Sequence, residues 1–151
     1  MASSTHIVRS YAEELGALDV DISQMGGLAE SQLSSVIDAV ARRDVSLAER
    51  VVANDRRVDA LERQVEARVF RLLALRQPVA IDLRTTISAI KTAGELERVA
   101  DLAKNIAKRA LVLSAEQPLR ASTGVLRMGR LSLTRLSDVL NAYSQRDVEK
   151  A

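Results

Sequence analysis

The chain has no cysteine and no tryptophan, one histidine, two prolines and six glycines. Without cysteine there is no disulfide scaffold, thiol nucleophile, iron–sulfur centre or thiolate zinc site, and a reducing compartment suits the chain. The one histidine, His6, lies near a terminus, which speaks against a serine–histidine triad or a histidine-rich metal site. Tyr11, Phe70 and Tyr143 are the only aromatics, too few to form a platform for stacked bases. So few turn residues exclude the repeated tight turns of a β-sandwich or barrel. No run reaches 18 uncharged apolar residues, and the opening MASSTHIVRS lacks the apolar stretch of a secretory signal, so a cytoplasmic location is expected. What is present is 151 residues, 47% apolar and 28% charged, enough for one hydrophobic core and all-helical in character.

The net charge of +2 hides an asymmetry: residues 1–101 carry 13 basic and 16 acidic groups, and residues 102–151 carry 9 and 4. The basic part could meet an anionic surface, although solvated helix faces are its first explanation.

Apolar spacing predicts an up-down-up antiparallel three-helix bundle over 7–115, with helices at about 7–43, 45–77 and 83–114. In the first, Tyr11, Leu15, Leu18, Ile22, Met25, Ala29, Gln32 and Val36 alternate at spacings of four and three, a heptad seam, and Val40 follows four further on. Gly26 and Gly27 inside it mark a close helix approach or a bend. Asp44 can cap the second helix, with Ser46 and Glu49 as an alternative capping box; the helix face is Val51, Val58, Leu61, Val65, Val69 and Leu72, and Pro78 stops it. Asp82 is read as the cap of the third. That helix has a broad apolar side of Leu83, Ile87, Ile90, Leu96, Val99, Leu102, Ile106, Ala110 and Leu113, and is expected to be buried on more than one side. A fourth helix opens near Ser122. Residues 25–48 and 128–151, offset by 103, share eleven of 24 positions and the same Arg-Asp-Val turn. The segment 121–151 therefore reads as the first helix of an incomplete second repeat, in a fragment or truncated homologue that borrows surface from another copy.

The chemistry-bearing residues are carboxylates. Asp55 and Asp59 are four apart on the second helix, followed by Glu62 and Glu66, and Glu97 and Asp101 are four apart on the third. By helical phase Glu97 and Asp101 continue the line of Leu83, Ile87 and Ile90. Charges beside a core face must be paired or metal-bound. Facing acid pairs offer an oxygen-rich site for Mg, Mn, Fe, Zn or Ca. The commoner meaning of such spacing is charge dressing, with Asp55–Arg56/Arg57 and Glu97–Arg98 as solvated pairs, and both readings stay open here. Lys104, Lys108 and Arg109, with Arg127, Arg130 and Arg135, are too sparse for a nucleic-acid site. There is no phosphate-binding glycine loop and no nucleophile beside a base, so no enzyme is expected.

The order of R76-Q-P, D82-L-R and E95-L-E-R-V-A-D-L-A-K-N-I-A107 closely resembles the phosphate-uptake regulator PhoU family over essentially the whole chain. Ala100 stands where the family usually has Gly, and Glu95 where it has Asp. The resemblance implies a negative regulator of the phosphate-starvation response and of high-affinity phosphate uptake. It implies a non-enzymatic adaptor between the nucleotide-binding subunit of a phosphate ABC transporter and a phosphate-sensing histidine kinase. From the uncovered fourth helix and the sparse basic residues, a homo-oligomer that reaches the membrane only through partners and binds no nucleic acid is expected. The resemblance also implies metal (Fe, Zn, Mg or Mn) on Asp55, Asp59, Glu97 and Asp101, with Glu62 and Glu95 as auxiliaries. The alternatives are a helical interaction module without metal and a basic-helix nucleic-acid binder.

Overall fold

The structure, a computed structural model, describes residues 2–76, 80–117, 122–147 and 149, with side chains from residue 13 onward apart from 75–82 and 122. Four helices follow one another: α1 (Ala2–Arg42), α2 (Val45–Arg76), α3 (Ala80–Ser114) and α4 (Ser122–Gln145). The first three each pack on the other two, and α4 packs on α1 alone among the described residues. At 1.5 Å per residue α1 is roughly 60 Å long, so the core is a narrow column rather than a sphere. No helix among the described residues is long and apolar enough to cross a membrane.

In α2 the expected face holds in full: Val51, Val58, Leu61, Val65, Val69 and Leu72 are all buried. β-Branched residues lose rotamer freedom in a helix, and here interior packing offsets that cost. In α1 the seam is buried at Leu18, Ile22, Met25, Ala29, Gln32 and Val36, then shifts from Val40, half-buried, to Ala39. The Tyr11 side chain lies outside the described residues.

Helix α3 departs from expectation. It begins at Ala80, so Asp82 lies within its first turn and not at the position before it. Its buried line is Ala89, Ala93, Leu96, Ala100, Ala103 and Ala107, a heptad-like row of small residues. Small side chains let α3 approach α1 and α2 closely; of its larger aliphatics Leu96 is buried, and Ile90, Val99 and Leu111 pack against the core from its edge. Leu83, Ile87, Leu102, Ile106 and Leu113 are exposed, so α3 is not buried on more than one side. The stop assigned to Pro78 lies outside the described residues.

The turn between α1 and α2 is two residues long. Arg43 takes a left-handed backbone, φ 55°. The Asp44 N–H donates back to the Ala39 carbonyl at 3.0 Å, closing the six-to-one bond that ends many helices. Asp44 Oδ1 then accepts from the Leu47 N–H at 2.9 Å, capping α2 as expected. The same geometry recurs 103 residues on, where Arg146 has φ 52° and the Asp147 N–H donates to the Ala142 carbonyl at 2.9 Å.

The α1–α4 contact follows the same offset. A β-carbon on Gly26 would lie 2.5 Å from Leu140 Cδ2, and one on Gly129 would lie 3.0 Å from Ile37 Cγ1. Since Gly129 is the repeat-mate of Gly26 and Leu140 that of Ile37, the two contacts are copies of each other. The helices therefore pair about a local two-fold, as two identical surfaces do in a symmetric dimer. Of the adjacent pair Gly26 and Gly27 in α1, only Gly26 marks a close approach; Gly27 has nothing near it.

Candidate functional site: the carboxylate seam between α2 and α3

Two apolar clusters fill the bundle. One is built around Ile22, Met25, Ala29, Val58, Leu61 and Ala100, and the other around Val36, Ala39, Ala48, Val51, Ala103 and Ala107. Between Ala29 and Val36 on α1 lies Gln32, and between Val51 and Val58 on α2 lies Asp55. Both are 5% exposed. The antiparallel pairing puts them at one level, so a polar layer divides the core in two.

Asp55 is the buried end of the seam. Lys104 Nζ donates to Asp55 Oδ2 at 2.6 Å and contacts Asp101 Oδ1, three residues earlier on α3, at the same distance. Asn105 Nδ2 donates to the other Asp101 oxygen at 2.9 Å. These bonds hold the Asp101 carboxyl below the usual aspartate range, the Lys104 hydrogen bond first among the causes. They hold the Lys104 ammonium above its usual value, through Asp101 first and Asp55 second. Lys104 is thus an internal partner, not part of a basic outer face. Asp101 is a rim residue with 40% of its side chain exposed, and Glu97 is half-buried. Their helical line lies beside the core, with Ala89, Ala93, Ala100 and Ala107 in the interior place instead.

One turn along, the acids lack such a partner. Burial raises the Glu62 carboxyl, with Glu97, Glu66 and Asp59 adding repulsion. Burial likewise raises Glu97, followed by Asp101, Asp59 and Asp55. The structure therefore brings Asp55, Asp59, Glu62, Glu97 and Asp101 along one seam and leaves Glu95 exposed on another face. The solvated pairs Asp55–Arg56, Asp55–Arg57 and Glu97–Arg98 do not form.

For the metal implied by resemblance, the donors present are a poor fit. Among the described residues no three acids or histidines converge as a metal would require. Asp55 and Asp101 already share an ammonium, and both Asp101 oxygens are engaged. A cation joining those two carboxylates would have to displace Lys104.

Other polar anchors gave no sequence signal. Asp21, 5% exposed, accepts from Gln64 Nε2 and Arg68 Nε of α2, both at 2.9 Å. Only its place next to Ile22 on the seam could have marked it. Asp19 accepts from the Tyr143 hydroxyl at 3.1 Å and Arg146 at 3.0 Å, tying α4 to α1. Burial and this acid push the Tyr143 phenol up to about 12. Arg43 crosses the bundle end to donate to the carbonyls of Leu113 (3.0 Å), Ser114 (2.8 Å) and Glu116, a cation on the C-terminus of α3. A groove of about 640 Å³ between α1, α3 and α4 includes Asp19, Arg84, Ser88, Val139 and Tyr143. No nucleophile–base pair is among them.

Long helices, a divided core and anchoring ion pairs define an all-helical bundle with exposed aliphatics on its third helix. Comparison with known proteins gives the family. The sequence model of the PhoU domain matches residues 22–110. A phosphate-specific transport system accessory protein PhoU homolog from Caulobacter vibrioides is 50% identical over 147 residues, 97% of this chain and 64% of that protein. The Escherichia coli phosphate-specific transport system accessory protein PhoU is 35% identical over 146 residues, 97% of this chain and 61% of its own length. The crystal structure of PhoU from Pseudomonas aeruginosa superposes with a TM-score of 0.89 at 31% identity, covering 93% of this chain and 68% of that one. The chain belongs to the PhoU family, and it spans about 64% of the length of the Caulobacter relative.

Proposed function

We propose that the chain is a non-catalytic regulator of phosphate transport that works by docking. It would join the nucleotide-binding subunit of a phosphate ABC transporter to a phosphate-sensing histidine kinase and so hold the starvation response off. The names of the relatives, accessory proteins of a phosphate-specific transport system, supply the transport system. The observation that carries docking is the outer face of α3. Leu102, Ile106 and Leu113 fall on one stripe with Arg109 between the last two, and all four are exposed. Aliphatics in a row on a helix whose own core face is alanine have no use inside this bundle, and such patches mark interaction surfaces. Metal has no step in this reading.

The test is binding of the purified chain to each partner by calorimetry, beside the Leu102→Asp/Ile106→Asp variant. Those side chains are exposed, so the variant should fold and melt like the wild type while losing the partner and failing to repress a phosphate-starvation reporter. Equal binding by the variant would refute docking through this stripe. No binding by the wild type, together with salt-dependent binding to DNA, would replace the adaptor with a nucleic-acid binder. Light scattering on the same samples gives the oligomeric state.

A further inference from the structure

The seam between α2 and α3 carries its own cation. We infer that Lys104 is the built-in counter-ion of this seam, its ammonium standing where a divalent cation would bridge Asp55 and Asp101, so that the helices are joined there without metal and metal enters only when that ammonium is removed. Three observations meet at this point. The ammonium lies 2.6 Å from an oxygen of each carboxylate, one on each helix. The Lys104 side chain is only 20% exposed and that of Asp55 only 7%, so this charge pair is interior and weakly screened. Asn105 takes the second Asp101 oxygen, leaving that carboxylate no idle oxygen to offer.

The chemistry follows from competition. A hard divalent ion takes carboxylate oxygens at about 2.0–2.6 Å, the approach the ammonium already makes, and the two cannot share those oxygens without strong repulsion. With the ammonium gone, Asp55 and Asp101 form a bare pair that continues into Asp59, Glu62 and Glu97. The inference does not depend on which protein the α3 stripe meets.

Equilibrium dialysis against Mn²⁺ and Zn²⁺, with melting followed by circular dichroism, tests it on the full chain. The wild type and Lys104→Arg should show no stoichiometric metal and no shift in melting. Lys104→Met should take up metal and melt higher in its presence. Lys108→Met removes a charge one turn away and should behave like the wild type. If Lys104→Met does not fold without metal, Asp55→Asn/Lys104→Met removes the exposed buried charge and should fold yet bind no better than wild type. Metal uptake by the wild type equal to that of Lys104→Met would overturn the inference. So would no gain in Lys104→Met, an equal gain in Lys108→Met, or full binding by the double variant.

Discussion

Gly26 and Gly27 are adjacent in one helix, and the same substitution should have opposite effects at the two. Replacing glycine by alanine in a helix interior gains about 1 kcal/mol, mainly from the unfolded chain's lost freedom. At Gly27 nothing lies within 4 Å of the added β-carbon, so Gly27→Ala should realise that gain. At Gly26 the new carbon would sit 2.5 Å from Leu140 Cδ2, with the next Leu140 atoms at 3.4 and 3.5 Å. Only the tip of one flexible side chain collides, so Leu140 must rotate or α4 must lift, at the roughly 1–3 kcal/mol typical of overpacking. The net effect of Gly26→Ala should run from neutral to about 2 kcal/mol destabilising. Urea unfolding of the wild type, the two glycine variants, Leu140→Ala and Gly26→Ala/Leu140→Ala measures all the terms. In the Leu140→Ala background the obstacle is gone, and Gly26→Ala should become stabilising by about 1 kcal/mol, a coupling of roughly 1–3 kcal/mol. Equal stability for Gly26→Ala and Gly27→Ala, or no coupling to Leu140, would refute the α1–α4 pairing described above.

Gln32 is buried and neither polar atom of its amide has a hydrogen-bond partner among the described residues, so Gln32→Leu should raise stability by about 1–3 kcal/mol in the same urea assay. Arg43→Gly should lose the bonds to the α3 carbonyls but relieve the left-handed strain that Arg43 carries, and Arg43→Ala should lose the bonds and keep the strain, melting lower than Arg43→Gly by the equivalent of about 1 kcal/mol. The seam should also give stability a maximum on the acid side of neutrality. Glu62 and Glu97 are raised in the folded chain, so they favour folding when protonated, and that contribution is lost as pH rises through their raised values. Asp101 is lowered, so its contribution is present above the ordinary aspartate value and lost as pH falls through its folded one. Melting from pH 3 to 8 should rise and then fall on acidification, and Glu62→Gln/Glu97→Gln should flatten the neutral side; a steady decline from pH 8 downward would contradict the arrangement.

Periodicity made α2 legible to the residue, since its core face is made of large aliphatics in a strict pattern. It misled on α3 because hydropathy weighs Leu and Ile above Ala, whereas close helix packing selects for small size. Counting Ala89, Ala93, Ala100, Ala103 and Ala107 as a core row would have turned the helix the right way and freed Leu102, Ile106 and Leu113 as surface. The same misplaced phase put Glu97 and Asp101 in line with the core when they sit at its edge. The acids could be found by spacing, but their counter-ion could not. Lys104 lies between residues of two helices, and only the register of α2 against α3 shows that it reaches Asp55. Tyr143 and Arg146 meet Asp19 across more than 120 positions, a contact no local pattern encodes.

The repeat at offset 103 separates what a sequence dictates from what its neighbours decide. Ile22, Met25 and Val36 on α1 are fully buried, while their repeat-mates Val125, Met128 and Val139 on α4 are 51, 63 and 47% exposed. The side chains are equivalent in size and polarity, so hydrophobicity cannot be the cause. The difference is that α2 and α3 pack on α1, whereas among the described residues α4 packs on α1 alone. Backbone geometry behaves in the other way: Arg43 and Arg146 share a left-handed φ and the same closing hydrogen bond, whatever lies nearby. Their side chains part company again, Arg43 to the carbonyls ending α3 and Arg146 to Asp19. Local sequence therefore fixes where the helices stop and how α1 and α4 meet, and the tertiary partners fix which apolar faces become core. Any function drawn from exposure on α4 must accordingly be argued from what covers that face, whereas the stripe on α3 is outward-facing within a bundle whose other helices are already in place.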